Sequence, residues 1–125
     1  MVLVDTSVWI SFLRNGEPTL QKLLQESQVV SHPFIIGELA CGNIHNREEI
    51  FSLMKSLPKL DVVEQEELLL FIEKNKMMGI GLGFVDVNLM ASAILANIPI
   101  YTYDKKLHNT CFRLGIDFST YYGNN

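Results

Sequence analysis

The chain reads as an α/β protein, a three-layer α/β/α arrangement around a central parallel sheet of four to five strands. Three observations predict this. Short apolar runs with strand character alternate with amphipathic helical stretches from one end to the other. Each pair of successive strands is separated by a helix, which is how parallel strands are joined with helices on both faces. No linker, repeat or low-complexity segment divides the 125 residues, so a single domain over 1–125 is expected.

The elements follow in order. Val2-Leu3-Val4 predicts a short buried strand. A helix over Ser7 to Leu13 is stopped by Asn15-Gly16. Glu17-Pro18-Thr19 opens a second helix to about Glu26, with Leu20, Leu23 and Leu24 on one face. Gln28 to Ser31 reads as a second strand. Ser31-His32-Pro33 starts a helix, with Pro33 suited to its first turn, and Gly42-Asn43 ends it. Asn46 can cap the next helix, where Ile50, Phe51 and Met54 share a face. Pro58 ends that segment, and Leu60 to Val63 reads as a third strand. Glu64-Gln65-Glu66-Glu67 places negative charge at the positive end of a helix running to about Met78. Gly79, Gly81 and Gly83 form a flexible loop. The stretch Asp86 to Asn97 is small and apolar and predicts a buried helix. Pro99 to Tyr103 is a fourth strand, Asp104 to Leu114 a helix, and Ile116 to Phe118 a last strand.

Composition narrows the class. The length supports one real hydrophobic core. No apolar run approaches the roughly 18–20 residues that span a bilayer. Met1-Val2-Leu3-Val4-Asp5 has neither a basic lead nor a small-residue cleavage site, so a cytoplasmic protein with no membrane partner is expected. Cys41 and Cys111 stand far apart in no metal-ligand spacing and are expected reduced and buried. The net charge is −4, but setting aside four acids discussed next leaves ten acids against ten Lys plus Arg. Nucleic-acid contact, if made, has to be local rather than sequence-blind and tight.

Those four acids are Asp5, Glu38, Asp86 and Asp104. Asp5 and Asp104 end predicted strands, Asp86 opens a predicted helix, and Glu38 lies in an apolar one beside Phe34, Ile35 and Leu39. Sites in open parallel sheets form beyond the carboxyl ends of the strands. Taken singly, each aspartate is a good helix cap. Together they would bury several carboxylates with no obvious Arg or Lys beside Asp5, Glu38 or Asp86. Bare carboxylates in a group are what Mg²⁺ and similar hard cations bind.

In this order the acids sit in four segments. These are Asp5-Thr6-Ser7-Val8-Trp9-Ile10; Glu38-Leu39-Ala40-Cys41-Gly42; Gly83-Phe84-Val85-Asp86-Val87-Asn88-Leu89-Met90-Ala91-Ser92-Ala93; and Thr102-Tyr103-Asp104-Lys105-Lys106-Leu107. The whole pattern resembles a PIN domain, specifically the small ribonuclease toxins of VapC type, over almost the entire chain. The resemblance implies a parallel sheet flanked by helices and a pocket that binds Mg²⁺ or Mn²⁺, one or two ions. It gives Asp5, Glu38, Asp86 and Asp104 the places of the catalytic, metal-holding acids. Thr6, Ser7 and Thr102 take the places of hydroxyl residues that orient them. It also implies an RNA substrate such as a tRNA, a homodimer, and an antitoxin whose tail enters the acidic cleft. Some members carry a further acid near the third or fourth. Here Asn88, Leu107 and His108 stand there, which leaves a second metal position open.

Carboxylates without a catalytic histidine favour metal-assisted hydrolysis of a phosphodiester, leaving a 5′-phosphate and a 3′-hydroxyl. Other residues have plainer roles. His32 is expected to be structural or exposed, and His45 lies in a turn. His108 either approaches the site or stays on the surface. Asn88 either offers a neutral oxygen or packs on its helix. Trp9 is expected in the core. Leu68-Leu69-Leu70-Phe71-Ile72 is apolar on every side of its helix, which fits full burial or a dimer seam. Lys105 and Lys106 either touch RNA phosphates or are solvated. Two rival readings remain. One is a non-catalytic PIN-like module that binds RNA or protein. The other is a phosphatase with Asp5 as nucleophile, which ordinarily needs a second aspartate where Ser7 stands.

Overall fold

The computed structural model describes residues 1–119. Strand β1 (Val2–Val4) is the centre of a parallel sheet of order β2-β1-β3, with β2 at Val29–Val30 and β3 at Ile100–Tyr101. Val2 pairs with Val29, Leu3 with both Val30 and Ile100, and Val4 with Tyr101. All three β1 side chains are fully buried, as a strand covered on both faces requires.

The connections explain the layers. From β1 the chain passes through α1 (Thr6–Asn15) and α2 (Pro18–Gln25) to β2. It then steps outward through α3 (Pro33–Ala40) and α4 (Arg47–Ser56) to a single parallel bridge between Ser31 and Lys59. It returns across the sheet through α5 (Gln65–Lys74) and α6 (Phe84–Ala96) to β3, and α7 (Lys105–Arg113) leads to a bridge between Ile100 and Asp117. Crossovers of one hand that run in opposite directions put their helices on opposite faces. The packing of α1 on α3, of α5 on α6 and of α7 on β3 agrees with this. The direction reverses beside β1, which makes the carboxyl ends of β1 and β3 the natural crevice.

The α/β class, the parallel sheet and each predicted helix are present. The expected strands over Leu60 to Val63 and Ile116 to Phe118 shrink to those two bridges. Beside β2, Leu60 donates once to the Ser31 carbonyl at 2.9 Å, and Val63 is buried by packing instead. Helix α6 begins two residues before Asp86, after Gly83. Asn46 precedes α4 in the left-handed region and makes no side-chain cap.

Burial corrects two further expectations. Leu68 is buried, but Leu69 and Leu70 are 53% and 66% exposed, so the apolar run is not fully buried. Cys111 is buried and free, and burial, followed by the charges of Asp117, Asp5 and Asp86, pushes its thiol up to about 12. Cys41 is free but exposed. Trp9 is fully buried with Val8 and Leu39, as expected of a core residue.

Candidate active site

Asp5 follows β1 and caps α1. Its Oδ2 accepts from the Ser7 backbone N–H at 3.4 Å, the Ser7 hydroxyl at 2.8 Å and the Thr102 hydroxyl at 2.7 Å. The two hydroxyls lie 3.2 Å apart. Each also accepts a backbone N–H: Tyr103 donates to Ser7 Oγ and Asp104 to Thr102 Oγ1, both at 3.0 Å. The end of β1 is thereby fastened to the end of β3, and Asp5, although buried, has its charge met by donors. Asp104 caps α7 by accepting from Leu107 N–H at 3.0 Å and is otherwise exposed.

Glu38 reaches the same place from α3. It is more exposed than its apolar neighbours led us to expect, yet Thr6 donates a 2.6 Å hydrogen bond to its Oε1. Asp86 comes from the first turn of α6. Burial first, then the charges of Asp5, Asp104 and Glu38, raise its carboxyl to about 6 against a weaker lowering by the Gly83 backbone. No Lys or Arg figures among those influences. Three acids from other segments, Asp5, Glu38 and Asp104, thus come near enough to act on Asp86.

The donor set, carboxylates supported by neutral hydroxyls around an uncompensated charge, fits a hard divalent cation. Among the described residues no three carboxylate, imidazole or thiol groups close into a ready coordination sphere. Mg²⁺ commonly keeps several waters and uses only one or two carboxylates directly, so the fit needs no closed cage.

The remaining residues fall into place. Asn88 is buried and donates to the Phe84 carbonyl at 2.9 Å, a helix-packing role. Lys105 and Lys106 are exposed, and Lys106 Nζ lies 2.9 Å from where a side chain on Gly81 would begin, over the loop that leads to Asp86. His108 is half-buried and His45 exposed. Asp117, a further buried carboxylate not singled out from the sequence, bonds the Ser119 hydroxyl and acts on Cys111, and it is not among the charges acting on Asp86. Only its place after an apolar dipeptide could have flagged it.

A parallel sheet with acids gathered at its reversal point defines an acidic-site α/β class, and sequence comparison gives it a family. The chain matches the PIN domain over residues 2–113 and belongs to that family. It is similar to Ribonuclease VapC32 of Mycobacterium tuberculosis, in both strain CDC 1551 / Oshkosh and strain ATCC 25618 / H37Rv. The identity is 38% over 117 residues, covering 93% of this chain and 94% of each relative. The crystal structure of PAE2754 from Pyrobaculum aerophilum has a similar fold. Its TM-score is 0.61 at 16% identity, covering 91% of this chain and 94% of that one.

Proposed function

We propose that this protein is a metal-dependent endoribonuclease of VapC type, the toxin of a toxin–antitoxin pair, working as one PIN unit over residues 1–125. The observation that carries the reading is the charge that Asp5, Glu38 and Asp104 exert on Asp86, expressed in its raised carboxyl. The similarity to a VapC ribonuclease along nearly the whole chain supports it.

In this reading Asp5 and Asp86 hold Mg²⁺ or Mn²⁺, while Asp104 and Glu38 complete the set directly or through water. What such an ion supplies is a lowered pKa for water and charge neutralisation at the phosphoryl group. The chain supplies the orientation. Ser7 and Thr102 fix the Asp5 carboxylate from one side, and Thr6 fixes Glu38. The Thr102 hydroxyl also holds the Asp104 backbone, so displacement of one acid is felt at the other. RNA, with tRNA as one candidate, is the substrate. An antitoxin that covers the acids and a second copy of the chain are the partners, and the exposed Leu69 and Leu70 are available to a dimer seam. Among the described residues no helix is long and apolar enough to cross a membrane, in keeping with a cytoplasmic site of action.

RNA cleavage in Mn²⁺, with and without EDTA, tests the proposal for wild type and Asp5→Asn. Loss of cleavage under both changes is expected. Activity indifferent to both would reject it.

A further inference from the structure

His32 is a fully buried histidine whose two ring nitrogens have different partners. Nδ1 accepts from the Phe34 N–H at 3.0 Å and so caps α3. That nitrogen must be bare, which puts the ring proton on Nε2. Nε2 then donates to the Ser92 hydroxyl at 3.0 Å, and Ser92 Oγ donates onward to the Asp61 carbonyl at 2.7 Å. The relay has one direction and ties three segments: α3, α6, and the chain beyond the Lys59 bridge.

Two of those segments carry candidate site acids. Glu38 is six residues beyond His32 toward the far end of α3, and Asp86 is six residues before Ser92 on α6, about 9 Å along each helix. The acids at those positions repel one another. Capping α3 needs only Nδ1, and a shorter side chain would cap as well. The Nε2 bond to another helix is surplus to that local role.

The geometry points to His32 as a positioning residue, whose hydrogen bond to Ser92 sets the separation of α3 and α6 and with it the spacing of Glu38 and Asp86. This inference rests on the nuclease reading above. Burial holds the ring neutral, with its pKa lowered to about 4, so the one-way relay persists through the neutral range. The ring of Phe34, edge-on at 5.2 Å between centroids, packs against the imidazole.

The test uses two variants that cut the same bond from opposite sides. His32→Asn keeps an oxygen for the Phe34 N–H but is too short to reach Ser92. Ser92→Ala keeps the histidine and its cap, and serves alone if His32→Asn does not fold. Mn²⁺ affinity by calorimetry and RNA-cleavage kinetics are measured on folded protein. Each variant should weaken Mn²⁺ binding and lower kcat by about five- to tenfold with KM for RNA unchanged, and the double variant should be no worse than either single one. In wild type, long-range ¹⁵N–¹H correlation should find the His32 proton on Nε2. Variants that lose thermal stability but keep wild-type Mn²⁺ affinity and kcat would overturn positioning while leaving the nuclease reading intact. A proton on Nδ1 would overturn it too. A wild type that binds no Mn²⁺ would remove the metal reading, and the positioning role with it.

Discussion

The two sides of the acid cluster are held by different means. At the strand ends, Asp5 is buried but meets two hydroxyls and a backbone N–H, and Asp104 meets a backbone N–H of its own helix. On the helix side, Glu38 accepts from the Thr6 hydroxyl and Asp86 from the Gly83 backbone, and the Asp86 carboxyl is raised to about 6. One side is preorganised by hydrogen bonds that stabilise negative charge. The other is put in place by the packing of α3 and α6 against the charge that opposes it. A site that is to bind a cation gains from both, since a rigid anchor orients the ion and an uncompensated carboxylate supplies the attraction.

Removing charge should separate the two sides most sharply. Asp5→Asn and Asp86→Asn are each expected to lower RNA cleavage by about 10³-fold. Their effects on metal-free stability should have opposite signs. Asp86→Asn relieves repulsion and should raise the melting temperature, whereas Asp5→Asn weakens charge-assisted bonds and should lower it. Melting curves in EDTA that shift the same way for both would break the comparison.

Thr102→Val comes next. It removes the donor to Asp5 and the acceptor for the Asp104 N–H. A loss of about 1–3 kcal/mol in denaturant unfolding is expected, because a buried carboxylate oxygen and a backbone donor both lose a partner. The cleavage rate should fall by about tenfold. The same substitution at Thr6 should do less, since the Thr6–Glu38 bond is exposed.

The pH dependence of stability carries two opposed contributions. The Asp86 pKa is raised from 3.8 to about 6, so the folded state binds the extra proton in that window, and metal-free stability should decline as pH rises through it. The His32 pKa is lowered from 6.5 to about 4, so the unfolded state binds the extra proton, and stability should decline as pH falls from 6.5 toward 4. In wild type the two partly cancel. Urea unfolding across pH 4 to 7 should therefore show a steeper acid loss for Asp86→Asn than for wild type, and Mn²⁺ affinity should weaken below about pH 6 as Asp86 takes up its proton.

The smallest effect is expected at Gly81. Its φ of +82° suits glycine, and a Cβ there would meet the far end of Lys106. The lysine can swing away, so the backbone sets the penalty. Gly81→Ala should lose about 1 kcal/mol and should slightly loosen the loop before Asp86 without touching the Asp5 side. Equal loss of Mn²⁺ affinity and of Asp5-side order by NMR would contradict the division drawn here.

Much of this was legible along the chain, and the reasons are local. The helices announced themselves through apolar spacing and through starts such as Glu17-Pro18 and His32-Pro33, where both proline helices begin as expected. Asp5 and Asp104 do cap their helices, and capping leaves each carboxylate at the strand ends where the site forms. The edges of the sheet are shorter than composition predicts, because Leu60 to Val63 has strand composition but lies where only one neighbour is available to pair with. Glu38 proved more exposed than its apolar helix suggested, because helical rotation carries it off the buried Ile35–Leu39 face.

The sequence alone determined the α/β class, the existence of each helix, the order of the four acids and the PIN resemblance, since these depend on periodicity and on contacts a few residues long. Tertiary structure decided the rest. The joining of Asp5 to Thr102, the reach of Thr6 to Glu38 and the link from His32 to Ser92 cross 97, 32 and 60 residues of chain. Such contacts exist only once the sheet order is fixed and burial has removed competing water. The same burial, with like charges from distant segments brought near, raised the Asp86 carboxyl.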